Sequence, residues 1–155
     1  MAASPPIPQT ALTFGYPHTL IAQTDAWSIL TRPKQVTLGS LVLVCRTPAT
    51  AFGAIPPQAF TDLGNAVPRI ERMLRGFCSY EKINYLMLMM VDPDVHFHVF
   101  PRYAAPRTYA EQSFPDAGWP GPPALSEAVA LDAETLSSLT ASLTSLWDAE
   151  AGTDA

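Results

Sequence analysis

The side chains best suited to chemistry occupy alternate positions of one short stretch, residues 92–103. Asp94, His96 and His98 alternate with apolar residues, which is the two-residue period of a strand with one polar and one apolar face. The pattern predicts a carboxylate and two imidazoles side by side on one surface. Arg102 follows a proline that should end the strand or leave it at an edge. We therefore expect a chemical site or a metal site here.

Three hypotheses follow from this stretch. In the first, a neutral His96 attacks a phosphate and forms a phosphoramidate that water later opens, while His98 binds or protonates phosphoryl oxygens and Arg102 adds positive charge. In the second, Asp94 and the two histidines bind zinc or iron, although the sequence lacks the glutamate that usually follows such a histidine pair closely. In the third, the histidines lie on a partly exposed strand and have no chemical role.

Composition limits the classes of protein to consider. At 155 residues and 48% hydrophobic content, the chain can form one domain with a substantial core. Its net charge of -5, with 9 Lys and Arg, argues against nucleic-acid binding but allows a small anionic ligand. Cys45 and Cys78 are isolated and are expected to be buried thiols rather than zinc ligands or a disulfide. No signal peptide or membrane span is recognisable, so a cytoplasmic protein is expected.

Residues 17–150 are predicted to form one α+β domain, in which a mostly antiparallel sheet carries the histidine stretch. Residues 1–16 are rich in proline and are expected to be a loose leader. Two short strands are predicted within residues 19–30, and a central one at 39–45. The run at 82–91 predicts a strand whose second half is buried on both faces, with its methionines filling the core.

Two helices complete the predicted domain. The first should begin near Pro57, either kink or lose a hydrogen bond at Pro68, and end at a Gly76 cap. Its buried face should comprise Phe60, Leu63, Val67, Ile70 and Leu74. The second spans residues 132–148 and starts at an aspartate that suits an N-cap. Between them, residues 103–131 form a Pro- and Gly-rich loop of a length that is usually functional or packed across another part of the molecule.

Three consecutive stretches carry a resemblance to a known family: Lys82-Ile-Asn-Tyr85, the apolar strand after it, and Val95-His-Phe-His-Val-Phe-Pro-Arg102. They resemble the histidine triad (HIT) family, whose motif is His-φ-His-φ-His-φ-φ. The likeness covers roughly residues 20–103 and includes the strand that follows Leu38-Gly39-Ser40. It implies a HIT-like, mostly antiparallel five-stranded sheet with two main helices. It also implies a homodimer in which two such sheets join into one.

The resemblance further implies a nucleotidyl hydrolase or transferase, most similar to the diadenosine polyphosphate hydrolase branch. Its substrates would be dinucleoside polyphosphates, such as diadenosine tetraphosphate, or nucleoside phosphoramidates, and a covalent nucleotidyl-histidine would be the intermediate. By position, His96 matches the nucleophile and His98 the histidine that contacts the phosphate. No bound cofactor is implied, although magnesium could assist through the polyphosphate. A nucleotide-binding module that has lost turnover is the alternative.

Two departures from the family pattern affect the expected site. Asp94 stands in place of the first histidine, where it would either weaken anion binding or orient His96 by accepting a ring N–H. Ser40 stands in place of another histidine. The residues expected to bind substrate are Arg102, Ser40, Arg32, Asn84 and Trp119, the last as a surface on which a base could stack.

Overall fold

The computed structural model describes residues 6–150. Its helices are α1 (Gln9–Thr13), α2 (Pro57–Cys78) and α3 (Ala133–Glu150). Its strands are β1 (Leu20–Gln23), β2 (Trp27–Thr31), β3 (Lys34–Gln35), β4 (Leu41–Cys45), β5 (Lys82–Leu86), β6 (His96–Arg102), β7 (Arg107–Tyr109), β8 (Gln112–Phe114) and β9 (Val129–Ala130). The main sheet has five antiparallel strands in the order β1-β2-β4-β6-β5, which confirms the predicted α+β class.

The main core lies between one face of this sheet and helices α2 and α3. All residues of β2 and β4 are buried, as their continuous apolar runs predict for central strands. Alternate residues of the sheet, among them Ile29, Leu43 and Val99, pack against apolar side chains of the two helices. Asp132 caps α3, because its carboxylate accepts a hydrogen bond from the Thr135 N–H at 2.7 Å.

Helix α2 differs from its prediction in where it ends and in where its buried face begins. It continues through Pro68 and past Gly76 and ends at Cys78. The C-cap residue, Ser79, has a φ of 49°, which places it in the left-handed region. Arg107 donates hydrogen bonds to the carbonyls of residues 78 and 79, which satisfies the helix end without a glycine. Phe60, expected in the core, is 44% exposed, because the buried stripe begins at Ala59 instead.

The strand expected over residues 82–91 ends at Leu86. Met90 and Val91 are 85% and 91% exposed, so the expected double burial is wrong for them. The extended backbone cannot continue here, because Met89 has a φ of 47°. A loop from residue 87 therefore leads into β6.

The expected loose leader is in part ordered, because α1 packs on the face of the sheet opposite α2 and α3. Leu30, Val42 and Val44 form a second apolar cluster on that face, and Ala11 of α1 covers it. Covering this apolar surface favours an ordered segment. Residues 1–5 of the leader lie outside the described residues.

The long loop after β6 also contains structure. It forms the β7–β8 hairpin, and β9 pairs with β3 as a separate two-stranded ladder. Among the helices of residues 6–150, none combines the length and the apolar character that a bilayer crossing needs.

Candidate active site

The two histidines of β6 lie on the sheet face that α1 covers, as their alternation predicts. His96 lies beside Val44 of β4, and His98 lies between Val42 of β4 and Leu86 of β5. Their ring centroids are 5.0 Å apart and the ring planes are close to perpendicular. His96 is 1% exposed and His98 is 8% exposed, so both imidazoles are largely removed from water.

A main-chain contact determines which nitrogen of His96 carries the proton. Nδ1 of His96 lies 2.6 Å from the main-chain oxygen of Asp94. A carbonyl oxygen can only accept a hydrogen bond, so Nδ1 must be the donor. In the neutral ring the lone pair is then on Nε2, which is the nitrogen that can act as a nucleophile or a base.

The carboxylate of Asp94 has a different partner from the one expected. Asp94 lies before β6, where its Oδ2 accepts a hydrogen bond from the Thr10 N–H at 3.0 Å. Its own N–H donates to Oγ1 of Thr10 at 3.3 Å. The proposed carboxylate contact with the His96 ring is therefore wrong, and the carbonyl of the same residue takes that role. The carboxylate is directed to α1 instead.

Metal binding by Asp94, His96 and His98 is not supported by their arrangement. Within residues 6–150, no three side chains of His, Cys, Asp or Glu converge in a way that could hold a metal ion. The engagement of the Asp94 carboxylate with Thr10 explains why the third ligand is missing from this group.

His98 is neutral in the folded protein. Its pKa is lowered to about 4, mainly by burial and to a smaller extent by the positive charges of Arg32 and of a protonated His96. Its ring stacks parallel to Phe100, with 6.0 Å between centroids. Its Nδ1 is buried and has no hydrogen-bond partner among the described residues. A neutral imidazole of this kind can donate or accept one hydrogen bond in a ligand complex.

Both histidines line a cavity of about 180 Å³. Its wall includes Phe14 after α1, Arg32 after β2, and residues of the loop 88–92. The Arg32 guanidinium lies 5.8 Å from the Phe100 ring, and one of its NH groups donates to the Lys34 carbonyl at 2.6 Å. Burial lowers the pKa of Arg32, with Asp92 opposing the effect, but an arginine keeps its charge in proteins. The cavity thus combines one cation, Arg32, and two imidazoles with one carboxylate, Asp92. The guanidinium and the imidazole N–H groups are the parts of this lining that suit an anionic group.

Three of the predicted substrate residues, Arg102, Asn84 and Trp119, line a second cavity of about 390 Å³ instead. Arg102 is four residues beyond His98 on β6, roughly 13 Å along the strand at the usual rise per residue. It is paired with Asp116, which its Nε and one NH contact at 2.6 and 3.0 Å, and it also donates to Asn84. The expected contact of Arg102 with a phosphate at the histidines is wrong, because this pairing holds its guanidinium elsewhere.

Ser40 is a structural residue of the turn before β4. It is fully buried, and its hydroxyl donates to the Thr37 carbonyl at 2.6 Å and accepts from the Thr37 N–H at 3.0 Å. The expectation that it binds substrate is therefore wrong. Phe14, in contrast, was not among the predicted site residues, although it lines the histidine cavity. It lies in a proline-rich segment, where the spacing of Ala11 and Phe14 is the sole sequence signal of an element that covers the sheet.

No family model matches the chain, and no curated protein matches it by sequence. Solved structures do match. A histidine triad protein from Sinorhizobium meliloti 1021 has a TM-score of 0.70 at 18% identity, with 90% of this chain and 95% of that chain covered. One from Marinobacter aquaeolei VT8 has a TM-score of 0.65 at 22% identity, covering 84% and 88%. The diadenosine triphosphate hydrolase of Plasmodium falciparum has a TM-score of 0.61 at 9% identity, covering 86% and 79%. The protein has the fold of the histidine triad proteins.

Proposed function

We propose that the protein is a nucleotidyl hydrolase or transferase of the histidine triad type that acts on dinucleoside polyphosphates such as diadenosine tetraphosphate. One observation carries the proposal: the carbonyl of Asp94 holds the His96 ring in the tautomer that leaves Nε2 with a lone pair. This nitrogen belongs to a ring that lines a cavity in which Arg32 is the cation and Asp92 the carboxylate. The fold is also shared with a protein named as a diadenosine triphosphate hydrolase.

The reaction would proceed in two displacements. Nε2 of His96 attacks a phosphorus atom of the substrate, an N–P bond forms, and the P–O bond to the leaving nucleotide breaks. The positive charge that develops on the ring is stabilised by the Nδ1–H hydrogen bond to the carbonyl of Asp94. Water then attacks the same phosphorus, the N–P bond breaks, and the water proton leaves to solvent.

His98 and Arg32 would assist this reaction without exchanging a proton with the substrate. His98 is neutral and can donate one hydrogen bond to a phosphoryl oxygen. Arg32 supplies positive charge at the same cavity, where burial strengthens its attraction to a phosphate. Magnesium would arrive with the polyphosphate as part of the substrate.

The second cavity favours dinucleoside polyphosphates over phosphoramidates. It lies on the same face of the sheet as the histidines, because Asn84 pairs with Phe100 and Leu86 pairs with His98. Trp119 offers a surface on which a base could stack, and Lys82 offers a cation. A substrate with a nucleoside at each end could use both cavities, whereas a phosphoramidate with a small leaving group would use one.

The assay that tests the proposal is turnover of diadenosine tetraphosphate and of an adenosine phosphoramidate by wild type, His96→Ala and His18→Ala. His18 is exposed and outside the cavity, so it is the matched control. We expect His96→Ala to reduce kcat by about 1,000-fold or more, the usual effect of losing a nucleophile. His18→Ala should retain the wild-type rate. Equal rates for wild type and His96→Ala would contradict the proposal.

The burial of His96 favours one alternative, a nucleotide-binding module without turnover. In that case no variant hydrolyses either substrate, while the nucleotide still raises the melting temperature of the wild type. The same preparations therefore distinguish the two functions.

The role of the second cavity is tested with Trp119→Ala. We expect a higher KM for diadenosine tetraphosphate and an unchanged KM for the adenosine phosphoramidate, because the latter has one nucleoside. An equal change for both substrates would exclude a separate site for the second nucleoside.

We also propose a homodimer joined through β5. This strand ends the five-stranded sheet, and within residues 6–150 its outer edge has no partner strand. Open edges readily pair with a second chain. Light scattering should give twice the mass of one chain; the mass of a single chain at micromolar concentration would contradict the proposal.

The cytoplasmic location and the lack of a resident cofactor stay predictions.

A further inference from the structure

We propose that Asp94 is a positioning residue, which fastens α1 across the sheet so that Phe14 covers the histidine pair and limits access to His96. This role rests on His96 being the reactive group of the proposed function. In this role the carboxylate of Asp94, which stands in place of the first motif histidine, takes part in no chemical step.

Asp94 joins α1 to the reactive histidine through three different groups. Its main-chain N–H and its carboxylate each form a hydrogen bond with Thr10, at 3.3 and 3.0 Å. Its main-chain oxygen accepts the hydrogen bond from His96 at 2.6 Å. One residue is thereby fixed from both sides, and the position of α1 is coupled to the orientation of the His96 ring.

Helix α1 needs this attachment, because it has five residues and cannot be stable alone. Pro8, which precedes it, has no side chain that could cap the first N–H groups. The carboxylate of Asp94 takes over this function for Thr10, a residue 84 positions away in the chain. Thr10 and Ala11 are each 1% exposed, so these two residues of the attached segment are buried.

Phe14 transmits the effect to the histidines. It directly follows α1, and its ring centroid lies 5.6 Å from that of His98 and 6.1 Å from that of His96. The ring thus forms a wall of the cavity and contributes to the 1% exposure of His96. Releasing α1 would let this wall move and would expose the His96 ring.

Acylation of histidine by diethyl pyrocarbonate tests the proposal without a nucleotide. Each histidine is quantified by peptide mapping with fragmentation, and the exposed His18 is the internal reference. Asp94→Ala should raise the rate at His96 relative to His18 by about tenfold, the factor expected for a lost hydrogen bond. Asp94→Asn keeps an oxygen acceptor for the Thr10 N–H, so its ratio should stay near wild type.

Two further variants separate this role from general loosening. Phe14→Ala should raise the His96 ratio, and adding Asp94→Ala to it should have little further effect, because both act through the same wall. Asp132→Ala removes a carboxylate that caps α3 and is the matched control; it should leave the ratio unchanged.

An unchanged ratio in Asp94→Ala would overturn the proposal. So would an equal rise in Asp94→Asn, because the carboxylate would then act through its charge, or an equal rise in Asp132→Ala. The acylation ratio is measured without turnover. An inactive wild type would therefore refute the proposed function, while the acylation ratio would still test the role of Asp94. Conversely, an active enzyme with an unchanged ratio would refute only the role of Asp94.

Discussion

At the scale of single residues, two histidines of one strand have different surroundings and therefore different capacities. His96 is held through Nδ1 by a main-chain carbonyl, whereas His98 is kept neutral by burial next to Arg32. The alternation of the sequence predicted that the pair shares a face. It could not predict the partner of Nδ1, because every residue has a carbonyl and the choice depends on how the chain enters β6.

The lowered pKa of His98 predicts a specific dependence of stability on pH. The unfolded chain binds this proton near pH 6.5 and the folded protein only near pH 4. Between these values the unfolded state binds more protons, so the free energy of unfolding decreases as the pH falls from 6.5 to 4. The total contribution is about 3 kcal/mol.

Urea unfolding of wild type and His98→Gln at about pH 7 and pH 4.5 measures this contribution. The variant has no imidazole to protonate, so its stability should decrease less on acidification than that of the wild type. An identical decrease in both proteins would show that His98 titrates normally in the folded state.

Arg102 is predicted to act on stability rather than on substrate binding at the histidines. Its pairing with Asp116 is almost completely buried, with side-chain exposures of 4% and 1%. Removing one partner leaves a buried charge without compensation, so Arg102→Ala should lower the free energy of unfolding by about 3–5 kcal/mol. Asp116→Ala should show a similar loss by denaturant unfolding. Full stability of Arg102→Ala together with a large loss of substrate affinity would contradict this assignment.

At the scale of elements, the sequence predicted the sheet and the two long helices well but missed places where single residues change the backbone direction. The run at 82–91 has the composition of one buried strand, yet Met89 adopts a left-handed conformation and the strand ends before it. Apolar periodicity does not report such a residue. It also misses α1, which is too short to show a period and whose partner Asp94 is distant in the chain.

The turn before β4 depends on Gly39, which has a φ of +96°. A Cβ at this position would lie 3.1 Å from Pro101 and 3.2 Å from Leu74, so both conformation and space oppose it. Gly39→Ala should lower the free energy of unfolding by about 1–3 kcal/mol. Gly76→Ala is the matched control: it lies in α2 with open space around it and should raise stability by about 0.5–1 kcal/mol. Equal effects in thermal unfolding would contradict the assignment of strain to Gly39.

At the scale of the whole molecule, the histidine cavity and the Arg102 cavity lie on the same sheet face, and the residues expected in a single site are divided between them. Arg32 lies with the histidines, whereas Arg102, Asn84 and Trp119 line the other cavity. The sequence could predict the fold, because strand alternation and helical spacing are local. It could not predict this division, which depends on the pairing of Arg102 with Asp116 from a loop without periodicity.

Trapping of a covalent intermediate tests the central claim most directly. Wild type, His96→Ala and His98→Ala are mixed with diadenosine tetraphosphate, quenched at alkaline pH and analysed by intact mass and fragmentation. The account predicts one adenylate on His96 in the wild type and in a fraction of His98→Ala, and none in His96→Ala. Two results would contradict it: an active wild type that carries the adenylate on another residue, and a His96→Ala variant that turns over substrate as fast as an active wild type.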